Sequence, residues 1–313
     1  MATKPADLPR SARARAAWAR SPERGSLTLL RMMTFVSLRL GRPLGRFILY
    51  FIAVYFFLFA PTARRHSREY LRRVLGRPPT AGDRFRQVFN FAAVILDRLY
   101  LVNGRYDLFD VSIEGEELML ARLRGGSGAF LIGAHLGSFE ITSALGRRQP
   151  GLRIAMAMYE ENARKVTAMF KALNPANKSE VIALGQIEAM LRIRERLDAG
   201  VFVGILGDRS FGGEPGLRID FLGHPALLPL GPMRAAAVLR RPVFFILGLY
   251  KGGNRYHAVF EELADFSETR PAEREAAVEA AIRRYVALLE KYCRSDPYNW
   301  FNFFDFWRGP HGR

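Results

Sequence analysis

The chain has 313 residues, enough to bury a large core as one sizeable α/β domain or as one domain with a helical appendage. Hydrophobic residues at 49% and aromatic residues at 12% exclude a disordered protein, and the single cysteine, Cys293, excludes an intramolecular disulfide. A net charge of +17, from 47 basic and 30 acidic residues, points to a polyanionic partner: nucleic acid, an anionic bilayer or a phosphorylated substrate.

Residues 1–26 are rich in arginine and alanine, carry Pro5, Pro9 and Pro22, and sustain no apolar face; they read as a mobile basic arm. Residues 27–76 read as a helical, membrane-associating segment. Its centre, Phe47–Ala60, is uncharged but shorter than the roughly 20 residues of a straight span. Extension back to Leu44 brings it closer, if Arg46 snorkels toward headgroups. Arginines crowd both flanks, with Arg39, Arg42 and Arg46 before the block and Arg64, Arg65, Arg68, Arg72 and Arg73 after it. Positive charge on both sides gives no orientation and suits an in-plane helix under anionic headgroups as well as a short span. A helix hairpin buried in a soluble protein is the third option. A cleaved signal peptide is not expected, because the apolar block begins deep in the chain and lacks a small-residue cleavage site.

Residues 77–313 read as one α/β domain. Asp83–Val102 repeats its apolar positions at three and four, as a helix does. Strands are expected at Val111–Ile113, Ala129–Ala134, Arg153–Met158, Val181–Leu184, Val201–Leu206, Pro242–Tyr250 and Tyr256–Phe260. Helices are expected near Glu116–Arg124, Ser138–Leu145, Ala163–Leu173, Ile187–Ala199, Gly231–Leu239 and Ala272–Arg294. Such alternation predicts a mostly parallel sheet flanked by helices on both faces, with sites at the carboxyl ends of its strands. Cys293, without a nearby base or glycine turn, is expected to pack as an ordinary core residue.

The chemistry concentrates in Ala129-Phe-Leu-Ile-Gly-Ala-His135-Leu-Gly-Ser-Phe-Glu140, an apolar strand that ends in glycine, then histidine, and reaches an acid five positions later. Residues five apart on a straight helix point about 140° away from each other, so His135 and Glu140 meet only if the chain bends between them. Gly133 and Gly137 permit a bend, and Ser138 can cap the helix that follows. A histidine oriented by a carboxylate is a general base for a hydroxyl. Backbone N–H groups of the turn are candidate oxyanion donors. A serine hydrolase is not indicated, because no Gly-x-Ser-x-Gly elbow is present. His257 and Glu262 share the spacing, but Arg255–Phe260 alternates like a strand, so that pair is expected to lie on a sheet without a catalytic role. Arg209, in the glycine-rich stretch Gly207–Gly213, could clasp a phosphate, or could pair with Asp208 or Glu214. Arg147 and Arg148 read as a solvated face. The aromatic tail Trp300–Trp307 could line an acyl pocket, lie in a bilayer interface or pack on the core.

The motif His135-Leu-Gly-Ser-Phe-Glu140 resembles the histidine, four residues, acid motif of the glycerolipid and lysophospholipid acyltransferase superfamily. Its glutamate and the basic N-terminal membrane segment resemble the branch of the bacterial lipid A late acyltransferases. The resemblance covers most of residues 35–307, including Asp208-Arg209, Phe221-Leu-Gly, Pro229-Leu-Gly-Pro232 and Pro297-Tyr-Asn-Trp300. It implies a membrane enzyme on the cytoplasmic face of the inner membrane and an acyl thioester donor on acyl carrier protein or CoA. The implied acceptor is a lipid hydroxyl, with no metal and no organic cofactor. It implies His135 and Glu140 as the catalytic pair, and Asp208, Arg209 and Arg164 as substrate-binding positions. Lipid A late acyltransferases commonly carry Asp-Gln where this chain has Asp208-Arg209, a departure that is similar to acyltransferase-like enzymes of aryl polyene lipid pathways. The competing classes are a non-enzymatic basic protein of membrane or nucleic acid and a thioester hydrolase on the same fold; no nucleic-acid-binding motif favours the former.

Overall fold

The computed structural model describes residues 37–142, 151–174, 180–185, 187–209 and 215–307. The basic arm, Arg147, Arg148, Glu214 and the glycine-rich stretch after Arg209 lie outside them.

The apolar block forms α1 (Arg42–Phe59), and α2 (Pro61–Leu75) follows after one residue. Thr80 and Asp83 close a capping box at the start of α3 (Ala81–Val102), with Asp83 N donating to Thr80 Oγ1 at 3.1 Å and Thr80 N to Asp83 Oδ2 at 2.8 Å. α1 lies antiparallel along α3. Gly45 sits against Leu96, the Tyr50 ring is 4.5 Å from Phe89, and the Phe57 ring is 5.8 Å from Phe85. Only Gly45, Leu49 and Ala53 of α1 are buried, a single stripe at four-residue spacing. The opposite face leaves Phe47 61% and Phe51 64% exposed.

Charge fastens the start of α1. Arg42 meets the fully buried Asp97 of α3 through Nε at 2.7 Å and Nη2 at 2.9 Å, and Tyr256 Oη donates to the same carboxylate at 2.8 Å. Arg46 Nη1 donates to the Gly253 carbonyl at 3.0 Å, so its guanidinium is tied to a surface turn of the sheet domain instead of snorkelling.

The strands are β1 (Asp110–Glu114), β2 (Phe130–Gly133), β3 (Ile154–Tyr159), β4 (Glu180–Leu184), β5 (Phe202–Leu206), β6 (Gly216–Phe221), β7 (His224–Pro229), β8 (Pro242–Tyr250) and β9 (Arg255–Asp265). Seven of them form one sheet in the order β1-β9-β8-β2-β5-β3-β4, parallel throughout except for the β8–β9 pair. Between them run α4 (Glu116–Arg124), α5 (Glu160–Leu173), α6 (Ile187–Asp198) and α7 (Gly231–Val238), and α8 (Arg274–Ser295) follows the last strand. One face of the sheet packs on α2, α6, α7, α8 and the C-terminal tail, and the other on α1, α3, α4 and α5. The expected mostly parallel α/β sheet is present, with every expected strand in it.

The β6–β7 hairpin is the addition. Its turn places Leu222 at φ 52° and Gly223 at φ 76°, two left-handed residues in a row, the geometry that matches the twist of a two-residue hairpin. Pro225 and Pro229 lie within or at the end of β7, which interrupts the alternation that would mark a strand in the sequence.

Candidate active site

β2 and β5 are adjacent parallel strands in which Gly133 pairs with Leu206. His135 and Asp208, each two residues beyond that pair, therefore emerge side by side at the carboxyl edge of the sheet. His135 Nδ1 lies 2.8 Å from Asp208 Oδ1, and the His135 backbone N–H donates to Asp208 Oδ2 at 3.0 Å. The indole of Trp300 donates to the same Oδ2 at 3.1 Å.

The Asp208 side chain is 1% exposed, which alone would raise its pKa, but the His135 ring and N–H and the nearby Arg209 outweigh burial and hold it below the usual carboxylate range. Asp208 is thus ionised, so Nδ1 carries the proton it donates and Nε2 keeps its lone pair. Burial pushes the His135 pKa below its ordinary value; Asp208 opposes that shift, while Arg209 and Arg98 add to it. The ring remains 29% exposed. The result is a neutral imidazole with one nitrogen fixed on a carboxylate and the other able to take a proton.

The turn after His135 is held on both sides. Gly137 has φ +77°, and a Cβ there would lie 2.1 Å from the Gly248 carbonyl oxygen, so only glycine fits. Gly133, by contrast, is the ordinary last residue of β2, and the bend belongs to Gly137 alone. Gly137 N donates to Asn299 O at 2.9 Å, Ser138 N to Gly248 O at 2.7 Å, and Phe301 N to His135 O at 2.7 Å. The expectation that the turn's backbone N–H groups serve an oxyanion fails for His135, Gly137 and Ser138, whose donors are all engaged within the protein.

Glu140 lies in the first turn of the helix that opens at residue 139, as expected, but among the described residues it makes no hydrogen bond to His135. Its Oε1 is 2.7 Å from Nε of Arg98 on α3, a charge contact without an aligned hydrogen bond, and its Oε2 accepts from Ser138 Oγ at 3.2 Å. The bend at Gly137 brings the two residues of the motif into one site while turning the glutamate toward α3. Asp208, expected to bind substrate, is instead the buried partner of the imidazole.

Arg209 is packed beside this pair. Its Nη2 donates to the Phe301 carbonyl at 3.2 Å, its guanidinium lies 4.7 Å from the Phe304 ring centroid, and its Nε is buried without a hydrogen-bond partner. Burial lowers its pKa from that of a free guanidinium, opposed by Asp208. Asp208 forms no salt bridge with it among the described residues. Arg164 is exposed on α5 and, among the described residues, takes no part in the contacts that build the site.

Trp300 is fully buried, with ring contacts to Tyr70 at 4.8 Å, Phe306 at 4.9 Å and Phe221 at 5.3 Å. The aromatic tail therefore packs on the core and reaches the Asp208 carboxylate through one N–H. His257 sits on a sheet, as expected, with Nδ1 2.9 Å from Ser112 Oγ and Nε2 3.1 Å from Glu114 Oε2, both on the neighbouring strand. Cys293 is buried on α8, and burial pushes its thiol pKa up.

A family model described as bacterial lipid A biosynthesis acyltransferase matches residues 18–309. The chain belongs to this family. No match was found among curated proteins. As a member of the lipid A biosynthesis acyltransferases the chain is an acyltransferase acting on lipid, and the matched residues include His135, Glu140, Asp208, Arg209 and Trp300. Sequence reasoning missed two parts of this candidate site. Trp300 lies 92 residues from the carboxylate it holds, and Arg98 lies on a helix read only for its apolar face. The one signal for Asp208 was its position just after a glycine-ended strand, the same position His135 has.

Proposed function

We propose that this acyltransferase moves a fatty acyl group from a thioester on acyl carrier protein or CoA to a hydroxyl of a lipid acceptor, either a lipid A-like glycolipid or an aryl-polyene-type lipid. His135 Nε2 takes the proton of the acceptor hydroxyl as its oxygen attacks the thioester carbonyl. The tetrahedral intermediate then collapses, the carbon–sulfur bond breaks, and the leaving thiolate takes the proton back from the imidazolium. Asp208 holds the tautomer and stabilises the transient imidazolium. Arg209 meets an anionic group of donor or acceptor, and Glu140 fixes Arg98 at the rim of the same site. The observation that carries this reading is the 2.8 Å contact between His135 and the buried Asp208, with the unpaired Arg209 Nε beside it.

The enzyme works on an anionic membrane, at the cytoplasmic face of the inner membrane, with α1 lying in one leaflet. Support for an in-plane helix comes from its docking: α1 follows α3 along its whole length and is clamped at Arg42 and Arg46, while its outer face exposes aromatic side chains.

The test is mass spectrometry of total lipid extracts from cells with the wild-type chain, His135→Ala or no chain. A lipid species one fatty acyl group heavier, present only with wild type, identifies acceptor and transfer together. Free fatty acid release in place of that species would make the enzyme a thioester hydrolase. No change in any lipid or fatty acid pool, with both proteins folded and membrane-bound, would sink the acyl-transfer reading.

A further inference from the structure

Away from the active site, α2 places His66 and Glu69 one turn apart on one face, and the C-terminal tail brings Asp305 to them. One ring nitrogen and one oxygen from each carboxylate lie within 4.8 Å of one another, and all three residues are half-buried. His66 Nδ1 is buried without a hydrogen-bond partner, a state that wastes the capacity of an imidazole in that position. Arg73 borders the cluster. Its Nη2 is 3.0 Å from Glu69 Oε1, its Nη1 is buried without a partner, and its guanidinium stacks 3.8 Å over Trp307.

We propose that His66, Glu69 and Asp305 form a divalent transition-metal site, of the zinc or manganese class, that staples the C-terminal tail to α2. One imidazole nitrogen with two carboxylate oxygens is a donor set for these ions, whereas magnesium and calcium take oxygen alone. Metal–ligand bonds of about 2.1 Å put neighbouring tetrahedral ligand atoms about 3.4 Å apart, so the side chains close by roughly 1 Å on binding. Rotation about the Glu69 and Asp305 side chains supplies that movement. On binding, Glu69 turns from Arg73 to the ion, and Arg73 keeps its place on Trp307.

The position gives the site a consequence. The tail that carries Asp305 also carries Trp300, which donates to Asp208, and Phe301, whose carbonyl accepts from Arg209. A bound ion therefore stiffens the segment that holds the catalytic carboxylate, without touching the reacting atoms.

The experiment is isothermal titration of the chelator-treated, tag-free full chain in detergent with Zn²⁺ alone, repeated with Mn²⁺, with thermal unfolding followed in parallel. The expected result is one equivalent of Zn²⁺ per wild-type chain and a rise in unfolding temperature. Affinity should fall at least tenfold in both His66→Ala and Asp305→Asn, with no change in His257→Ala, which removes a histidine that faces a carboxylate on the sheet, away from the active site. Asp305→Asn is nearly isosteric and keeps the test open if His66→Ala fails to fold. Absence of stoichiometric binding by the wild type, or binding that survives Asp305→Asn, would overturn the site.

Discussion

The imidazole of His135 meets the carboxylate of Asp208, 73 residues further along the chain, at 2.8 Å, while Glu140, five residues away, is held by Arg98. The two acids therefore act differently, and substitution separates them. Asp208→Asn keeps the shape but presents an amide to Nδ1, and turnover should drop about a hundredfold or more, the usual contribution of a positioned base. Glu140→Gln should lower it by less than about tenfold, since the imidazole keeps its partner. Initial rates of acyl transfer from a thioester donor measure both, and the reverse ranking would restore Glu140 as the partner of His135.

The acid limb of kcat/KM should have its midpoint below 6.5, the ordinary histidine value, because burial disfavours the imidazolium. Asp208 raises the His135 pKa and Arg209 lowers it. Asp208→Asn should therefore move the remaining activity's midpoint lower still, and Arg209→Met should move it up. The sign carries over to stability. The folded chain binds fewer protons at His135 than the unfolded one, so this residue's contribution is lost as pH falls through 6.5 toward the lowered folded value. A pH–rate profile in which Arg209→Met leaves the midpoint in place would remove Arg209 from the electrostatics of the base.

Trp300→Phe retains an aromatic ring against Tyr70 and Phe221 but removes the N–H that Asp208 Oδ2 accepts at 3.1 Å. A hydrogen bond to a buried charge and the volume lost with the indole together predict a destabilisation of roughly 2 to 4 kcal/mol. The carboxylate keeps its two contacts with His135, so activity should fall less than in Asp208→Asn. Denaturant unfolding in detergent, paired with initial rates, checks both halves. A stable variant with the rate of Asp208→Asn would mean that the indole does more than hold the carboxylate.

The fold was legible where periodicity is strong: the strands of the central sheet, the long helices Ala81–Val102 and Arg274–Ser295, and the placement of the site at strand ends. The β6–β7 hairpin was not, because prolines break its alternation. The site was half legible. His135 stands out because a glycine turn presents it, and spacing suggested Glu140. The Asp208 contact depends on β2 and β5 being neighbours, and strand order is a property of the folded sheet that residue spacing does not carry. Arg46 illustrates the same limit in the membrane segment: an arginine beside an apolar run looks free to reach headgroups until the Gly253 carbonyl is found against it.

The exposed face of α1 supplies the last prediction. Phe47 and Phe51 lie next to each other on that face, their ring centroids 5.3 Å apart, and both are more than half exposed. Burying each phenylalanine in lipid contributes on the order of 1.5 to 3 kcal/mol. Phe47→Asp with Phe51→Asp should therefore lower partitioning onto anionic vesicles by about a hundredfold or more. Neither side chain belongs to the buried stripe of Gly45, Leu49 and Ala53, so the unfolding temperature should hold. Arg42 provides the contrast. Asp97→Ala leaves that guanidinium, 11% exposed, without its buried carboxylate and should destabilise the fold by about 3 to 5 kcal/mol. Hydrogen exchange in residues 42–59 should rise in Asp97→Ala and stay at the wild-type level in the phenylalanine double variant. Vesicle flotation reads the first effect. If flotation were unchanged by both aspartates, the aromatic face of α1 would not be the membrane contact, and the basic face of α2, with Arg64, Arg65, Arg68 and Arg72, would take its place.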